Sequence, residues 1–257
     1  VYFSGLRKSL IESAEESNIE LSFCKNAVEV DVEKTDGIIA VGRFLSAELE
    51  KMKQLGIQVL FVDSNPDPHE FNSIQPNLQM MVETAIEYFV QAGYQKIGFI
   101  GGRSWDSMEG RHVLRDTRTR CFESRARELG LFNQNYVFIG DNFSVDSGYQ
   151  VGREIVGKIR DDLPQAFLVA SDPLAVGVLQ AFNENRLTVP EDVSMISIND
   201  IDIAKYVSPP LTTFRIDTEE LGKVAIETLR NLIVAPKKSK RMILLDADLV
   251  FRKSFVI

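Results

Sequence analysis

The sequence predicts an α/β protein with two doubly wound lobes, in which each parallel sheet is covered by helices on both faces. Strand-like and helix-like segments alternate along the whole chain, which is typical of parallel sheets. About ten strands are expected, which is more than one twisted open sheet comfortably carries. A long polar segment, residues 103–116, lies near the middle of the 257-residue chain. Two lobes therefore fit the pattern better than one sheet.

Helices are predicted where apolar residues recur three or four positions apart, which is the spacing of one buried helix face. The clearest case is residues 78–92, where Met81, Ala85 and Phe89 belong to one apolar stripe. Glycines follow several of these segments, as they do at helix ends. In chain order the predicted helices cover residues 1–17, 46–55, 78–92, 117–129, 145–160, 172–185 and 217–234.

Strands are predicted at the short apolar runs between these helices. In chain order they are residues 19–23, 36–41, 57–62, 96–100, 136–139, 165–170, 193–198 and 212–216, with 242–251 as a final strand or pair. The chain thus begins with a helix and then a strand, as if a first strand were missing. Gly101 and Gly102 are expected to end the strand at 96–100.

Composition excludes several classes of function. The formal charge of −8 and the pI of about 5.0 argue against a chain that itself wraps nucleic acid. No apolar run approaches the ~18 residues that a membrane span needs, so no membrane partner is expected. The two histidines and two cysteines form no cluster with metal-ligand spacing, so neither a metal site nor a cofactor is expected.

Motifs for common enzyme classes are also missing from the sequence. Residues 101–105 do not supply the GxGxxG of a dinucleotide site, and there is neither a GxxxxGK[ST] loop nor a GxSxG elbow. Neither His69 nor His112 stands beside an obvious nucleophile, which weakens any catalytic triad. An enzyme that uses carboxylates alone stays open as an alternative.

Polar residues at predicted strand ends favour a binding protein for a neutral polyol. Carboxylates and amides bind hydroxyl groups, an arginine can span two vicinal oxygens, and an aromatic ring covers the apolar face of a sugar. The candidates are Asp63, Asp141, Asp172, Asn199, Asp200, Arg115, Arg118, Arg120, Trp105 and Phe143. Two of them have a purely structural alternative, since Asp172 can serve as a helix cap before Pro173 and Phe143 can be a core residue.

Seven segments occur in an order that resembles one known family. They are Tyr94–Gly102, Arg118–Phe122, Gly140–Phe143 with Ser147–Tyr149, Ala170–Gly177, Val189–Ser194 leading into Met195–Ile201, Pro209–Thr213 and Leu249–Ser254. Each motif alone is weak, but their shared order is specific. Together they resemble the sugar-responsive regulators of the LacI/GalR family over most of the chain.

The resemblance implies a periplasmic-binding-protein-like fold of type I, with three crossovers between the lobes and an effector in the cleft. We expect crossovers near 101–104, 212–216 and 235–241. The N-terminal lobe would then comprise residues 1–102 and 214–236, and the C-terminal lobe residues 103–213 and 237–257.

The resemblance also implies roles for individual residues. Arg118 would donate hydrogen bonds to two sugar hydroxyls, and Phe143 would stack on the sugar ring. Asp63 would contact the sugar from the N-terminal lobe, while Asp172 and Asn199 would contact it from the C-terminal lobe. Asn199 departs from the family's usual aspartate, and with Asp200 and Ile201 it resembles the galactoside-regulator branch.

Two further departures are Cys121, where the family usually has glycine, and Asn77, where aspartate is common.

The implied function is sugar binding and dimerisation for a cytoplasmic transcriptional regulator, expected to be a repressor. Its operator DNA would be bound by an N-terminal helix-turn-helix that this chain does not contain, and its partner would be a second copy of the chain. The main alternative is an extracellular sugar-binding protein of a transporter, which would share the fold. A sugar-modifying enzyme is the third hypothesis.

Overall fold

The computed structural model describes residues 2–105, 113–114 and 116–256, which form two compact units. Unit one comprises residues 2–76 and 217–245. Its elements are α1 (Tyr2–Glu16), β1 (Gly37–Val41), α2 (Ser46–Gln54), β2 (Gln58–Val62), β3 (Asn72–Pro76), α7 (Thr218–Val234) and β11 (Met242–Leu245). Unit two comprises the other described residues. Its helices are α3 (Leu78–Gln91), α4 (Thr117–Glu128), α5 (Val145–Ile159) and α6 (Asp172–Glu184).

The strands of unit two form a six-stranded sheet and a short hairpin. They are β4 (Ile97–Gly102), β5 (Ser104–Trp105), β6 (Val113–Leu114), β7 (Val137–Gly140), β8 (Ala166–Val169), β9 (Ser194–Asn199), β10 (Thr212–Arg215) and β12 (Asp248–Val250). The six-stranded sheet has the order β12-β10-β9-β8-β4-β7, and β5 pairs with β6. Every strand of the larger sheet runs parallel to its neighbours except β12, which is antiparallel to β10. The carboxyl ends of the parallel strands therefore lie along one edge.

Unit one is a parallel sheet in the order β1-β2-β3-β11 with helices on both faces. On one face α1 packs against α7, and their apolar residues meet Leu60, Val62 and Ile74 of the sheet. On the other face Met52 of α2 packs in a small core with Phe61. No helix among the described residues is long and apolar enough to cross a membrane.

The structure confirms the two parallel sheets and the seven predicted helices, with ends shifted by at most one residue. The strand predicted at 19–23 is wrong, because this segment has no strand partner among the described residues. Strand β3 was not expected. Strand β4 continues through Gly101 and Gly102, where a Cβ atom would meet Phe99 and the backbone of Asn142. The predicted end of that strand at residue 100 is therefore wrong. The two glycines are part of the strand, because a larger residue at either position would collide with these neighbours.

The unit boundaries in the structure differ from those we predicted. Residues 77–102 belong to unit two, since α3 packs on α4 and β4 pairs with β7 and β8. Residues 214–216 also belong to unit two, because β10 pairs with β9. Residues 237–245 belong to unit one, because β11 pairs with β3. The chain thus passes between the units at 76–77, 216–217 and 245–246, apart from the undescribed residues 106–112.

Helices α5 and α6 pack closely in unit two because glycines lie where their backbones meet. A Cβ atom at Gly177 would collide with the carbonyl oxygen of Val145, and one at Gly148 would collide with that of Leu174. Close contact between two backbones leaves no flexible side chain to move aside.

Gly177→Ala should therefore lower the free energy of unfolding by about 1–3 kcal/mol, which is the usual cost of overpacking a core. Gly157→Ala in α5 is the matched control, because a Cβ atom there would meet nothing within 4 Å beyond the backbone of its own helix. The control should gain up to about 1 kcal/mol from better helix propensity. Urea unfolding followed by circular dichroism measures both changes, and equal stabilities would contradict the packing argument.

Candidate functional site

Polar residues of unit two cluster at the carboxyl edge of its six-stranded sheet. Ser171 and Asp172 follow β8, Asn199 ends β9 and Asp200 follows it, and Phe143 lies in the loop after β7. Because β7, β4, β8 and β9 are parallel neighbours, their ends meet at one edge. Four of the five predicted site residues belong to this edge or to the start of α4.

Arg118 is the most constrained side chain of this edge. Its Nε and Nη2 donate to the two carboxylate oxygens of Asp116 at 2.6 and 3.0 Å, and its Nη1 donates to the carbonyl of Ala170 at 2.6 Å. The guanidinium carbon lies 4.6 Å from the ring centre of Phe143, a cation–π contact. Asp116 also caps α4 by accepting a hydrogen bond from the Arg118 backbone.

This geometry leaves part of the Arg118 guanidinium without a partner among the described residues. A guanidinium has five N–H donors, and partners among the described residues take three of them. The two that remain are on Nη1 and Nη2. Both side chains of the Arg118–Asp116 pair are largely buried, at 12% and 8% exposed, so protein partners fix the orientation of the guanidinium. The sequence predicted Arg118 and Phe143 but missed Asp116.

Asp172 is fully buried, and both of its carboxylate oxygens have partners. Oδ1 accepts from the hydroxyls of Ser197 at 2.5 Å and Thr213 at 2.7 Å, and Oδ2 accepts from the backbone of Ile201 at 2.8 Å. These bonds join the start of α6 to β9, β10 and the turn after β9. The geometry favours an orienting role for Asp172 over the predicted direct contact with a sugar.

Ser171 is a candidate that the sequence analysis missed. It is 3% exposed, and its hydroxyl has no hydrogen-bond partner among the described residues. Buried polar atoms are normally paired, so an unpaired hydroxyl next to the Arg118 acceptor Ala170 is a candidate ligand contact. The unusual feature is visible only in the structure, because a serine before a helix ordinarily caps it and this one does not.

Asn199 and Asp200 adopt a backbone conformation that is uncommon for residues other than glycine. Their φ angles are +118° and +51°. Such residues cost about 1–3 kcal/mol each and cluster at functional sites. The side-chain amide of Asn199 makes no hydrogen bond to any described residue, so it is available to a ligand.

Asp63 belongs to unit one, at the end of β2, and it also has a positive φ angle of +66°. Its Oδ1 accepts a hydrogen bond from the Tyr2 hydroxyl at 2.8 Å. The following Ser64 Oγ and Asn65 Oδ1 are buried and have no partner among the described residues. Sugar contact by Asp63 stays a prediction.

The remaining residues that the sequence analysis singled out have structural roles, are exposed, or lie outside the described residues. Asn77 caps α3 and donates to Asp246 at 2.9 Å, so its side chain has a structural role. Asp141 is exposed, and Arg120 bonds Thr117 on the outside of α4. Arg115 and the side chain of Trp105 lie outside the described part of the chain.

Comparisons with known proteins relate this chain to transcriptional regulators. A family model described as a periplasmic binding protein-like domain matches residues 86–255. The chain is 38% identical over 256 residues to the HTH-type transcriptional regulator GanR of Bacillus subtilis (strain 168), covering 99% of this chain and 77% of the relative. It is 37% identical over 260 residues to the HTH-type transcriptional regulator LacR of Lactobacillus helveticus, covering 99% and 76%.

Among solved structures, the complex of the transcriptional regulator CelR with cellobiose has a similar fold. Its TM-score is 0.82 at 19% identity, and the match covers 99% of this chain and 79% of that one.

The buried Asp172 predicts a specific pH dependence of stability. Burial raises the pKa of Asp172 to about 6 from 3.8, although hydrogen bonds from Ser197, Thr213 and the Ile201 backbone lower it. Between these two values the folded state binds more protons than the unfolded state. The contribution of this group to stability is therefore fully present below pH 3.8 and is lost as the pH rises through 6.

Wild type and Asp172→Asn should consequently show unfolding free energies whose difference changes with pH. We expect the wild type to gain about 1 kcal/mol relative to the variant between pH 7.5 and pH 5. Chemical denaturation of both proteins at several pH values measures this gain. Parallel stability profiles would show that the carboxyl group does not titrate in this range.

Proposed function

The chain belongs to the LacI/GalR family of HTH-type transcriptional regulators, and from that premise we propose that it binds a galactoside-type sugar at the strand ends of unit two. The observation that carries the proposal is the Arg118 guanidinium, which is fixed by Asp116 and Ala170 and lies against Phe143 with two donors unused. Two remaining N–H groups of one guanidinium, beside an aromatic ring, suit a sugar with vicinal hydroxyls.

The other polar groups of this edge support a neutral ligand. The free hydroxyl of Ser171 and the free amide of Asn199 are each donor and acceptor, which matches the hydroxyl groups of a sugar. The Arg118 charge is already neutralised by Asp116, so an anionic ligand is not required. The galactoside preference rests on Asn199 with Asp200 and Ile201, as the family resemblance implies.

The proposed effector would act by shifting an equilibrium between two conformations of a repressor. A sugar shifts that equilibrium only by the difference between its affinities for the two states. Linkage between two binding sites is reciprocal. If sugar weakens operator binding by some factor, operator DNA bound by a helix-turn-helix head must weaken sugar binding by the same factor. Such a regulator acts in the cytoplasm, where the DNA is.

Two other functions are less well supported. The curated relatives are named as regulators, which favours a regulator over a transporter's sugar-binding protein. We also propose that the chain is not an enzyme, because Asp172 is enclosed and Arg118 is ion-paired, so neither carries a free acid or base to a ligand. Turnover of a bound galactoside would contradict this proposal.

Sugar binding is tested with isothermal titration calorimetry of lactose, galactose, glucose and ribose. Wild type should bind a galactoside best. Arg118→Ala should lose at least ~30-fold in affinity, because two charge-assisted hydrogen bonds are removed. Arg120→Ala is the matched control and should bind normally. Binding of no sugar by wild type, or full affinity in Arg118→Ala, would refute the proposal.

Asn199→Asp tests the basis of sugar preference, because it replaces an amide by a group that only accepts hydrogen bonds. We expect the ratio of lactose to glucose affinities to change by up to about tenfold, since one hydrogen bond is worth up to about 1.4 kcal/mol. The same titrations measure this ratio, and an unchanged ratio would exclude Asn199 as a specificity residue. Asp63→Ala in parallel tests the predicted contact from unit one.

A homodimer is the proposed assembly. Unit two exposes the side chains of Tyr206 at 82% and Ile203 at 47%, and burial of these two apolar groups against a second copy would remove them from water. A Tyr206→Asp/Ile203→Asp variant should sediment as a monomer at concentrations where wild type is a dimer. Val28→Asp, at an exposed apolar position in unit one, is the control. A monomeric wild type would contradict the proposed assembly.

A further inference from the structure

The carboxylate of Asp200 is a buried charge next to a proposed ligand contact. Its side chain is 2% exposed, and each of its oxygens accepts a hydrogen bond from an arginine. Arg252 Nη2 donates to Oδ1 at 2.5 Å, and Arg215 Nε donates to Oδ2 at 2.8 Å. We call Asp200, Arg215 and Arg252 the Asp200 network.

Arg252 is itself fixed by the sheet. Its Nη1 donates to the carbonyl of Leu211 at 2.8 Å, and its backbone donates to the hydroxyl of Thr212 at 2.8 Å. It follows the end of β12 by two residues, and β12 pairs with β10. Its side chain is 14% exposed, whereas that of Arg215 is 54% exposed. Arg252 is therefore the more rigid of the two arginine partners.

The turn after β9 is held from two sides. The Asp200 network binds the side chain of Asp200, and its backbone N–H donates to Thr213 Oγ1 at 3.3 Å. The next residue, Ile201, donates its N–H to Asp172. Asn199 is the last residue of β9 and directly precedes these anchored residues, with an unusual φ angle and a side chain that bonds no described residue. The surroundings fix its backbone and leave its amide exposed to a ligand.

We propose that Arg252, acting through Asp200, is a positioning residue that aligns Asn199 for the sugar without touching it. The inference rests on the proposed function, because it assigns a cause to the sugar affinity of the same site. An exposed ion pair contributes little to stability. Removal of Arg252, the more rigid partner of the buried Asp200 carboxylate, should instead change the local structure around that carboxylate. The turn would then relax away from its uncommon conformation, and the Asn199 amide would lose its alignment.

The first test needs no sugar. Hydrogen exchange followed by NMR reports the opening of single backbone amides. In Arg252→Met the amides of Asp200 and Ile201 should exchange at least tenfold faster, while that of Ile196 in the middle of β9 should not change. Arg252→Lys should restore part of the protection, because it keeps the charge. Arg127→Met is the matched control, since it removes the arginine partner of the largely buried Glu123 carboxylate in α4. Unchanged exchange at Asp200 and Ile201 in Arg252→Met would overturn the proposal.

The second test is a double-mutant cycle with the sugar that wild type binds best among lactose, galactose, glucose and ribose. Arg252→Met should weaken binding at least tenfold, and Arg252→Lys should recover part of the loss. In the Asn199→Ala background, Arg252→Met should weaken binding less than twofold, because the aligned group is already gone. An equal loss in both backgrounds would show that Arg252 does not act through Asn199. Failure of wild type to bind any of the four sugars would refute the proposed function, while the exchange experiment would still decide the positioning role.

Discussion

The buried carboxylate of Asp172 is the interaction on which the polar edge of unit two depends. An isolated carboxylate is costly to bury, and it is tolerated here because three donors from different elements satisfy it. Those donors belong to β9, to β10 and to the turn that contains Ile201. Satisfying one charge thereby fixes the relative positions of two strand ends and the first turn of α6.

The polar edge of unit two is also preorganised around Arg118. A sugar competes with water for every hydrogen bond, so affinity depends on how little the protein must reorganise when it binds. Arg118 is held by Asp116 and by the Ala170 carbonyl, and it lies against Phe143. The same principle operates behind Asn199, where Arg252 and Asp200 form the ion pair. In our proposal, the Arg118–Asp116 pair presents donors to the ligand, and the Arg252–Asp200 pair supports Asn199.

The sequence was sufficient for the features that have a local signal. The apolar stripe of α3 required only helical spacing, and Arg118 and Phe143 followed from ordered motifs. Strand β3 was missed because its sequence NSIQP lacks apolar alternation, although Asn72 and Ser73 are buried. The segment at 19–23 shows the reverse, since a strand-like pattern forms no strand without a partner. Asp116 was missed because its role depends on a contact geometry that no spacing rule encodes.

The rigidity of the turn after β9 has a consequence for how a ligand signal could spread. A flexible loop would absorb the arrival of a sugar by local rearrangement, and little of the binding energy would reach other parts of the chain. The turn of Asn199 is anchored by Asp172 and by the Asp200 network, so local relaxation is restricted. Arg215 precedes the passage of the chain to unit one by two residues, and Arg252 follows the return at residue 246. Asp200 therefore binds both of these connecting segments of unit two. A ligand bound to Asn199, as we propose, would act on a bonded network that reaches those segments, which gives a physical route for a conformational response away from the site.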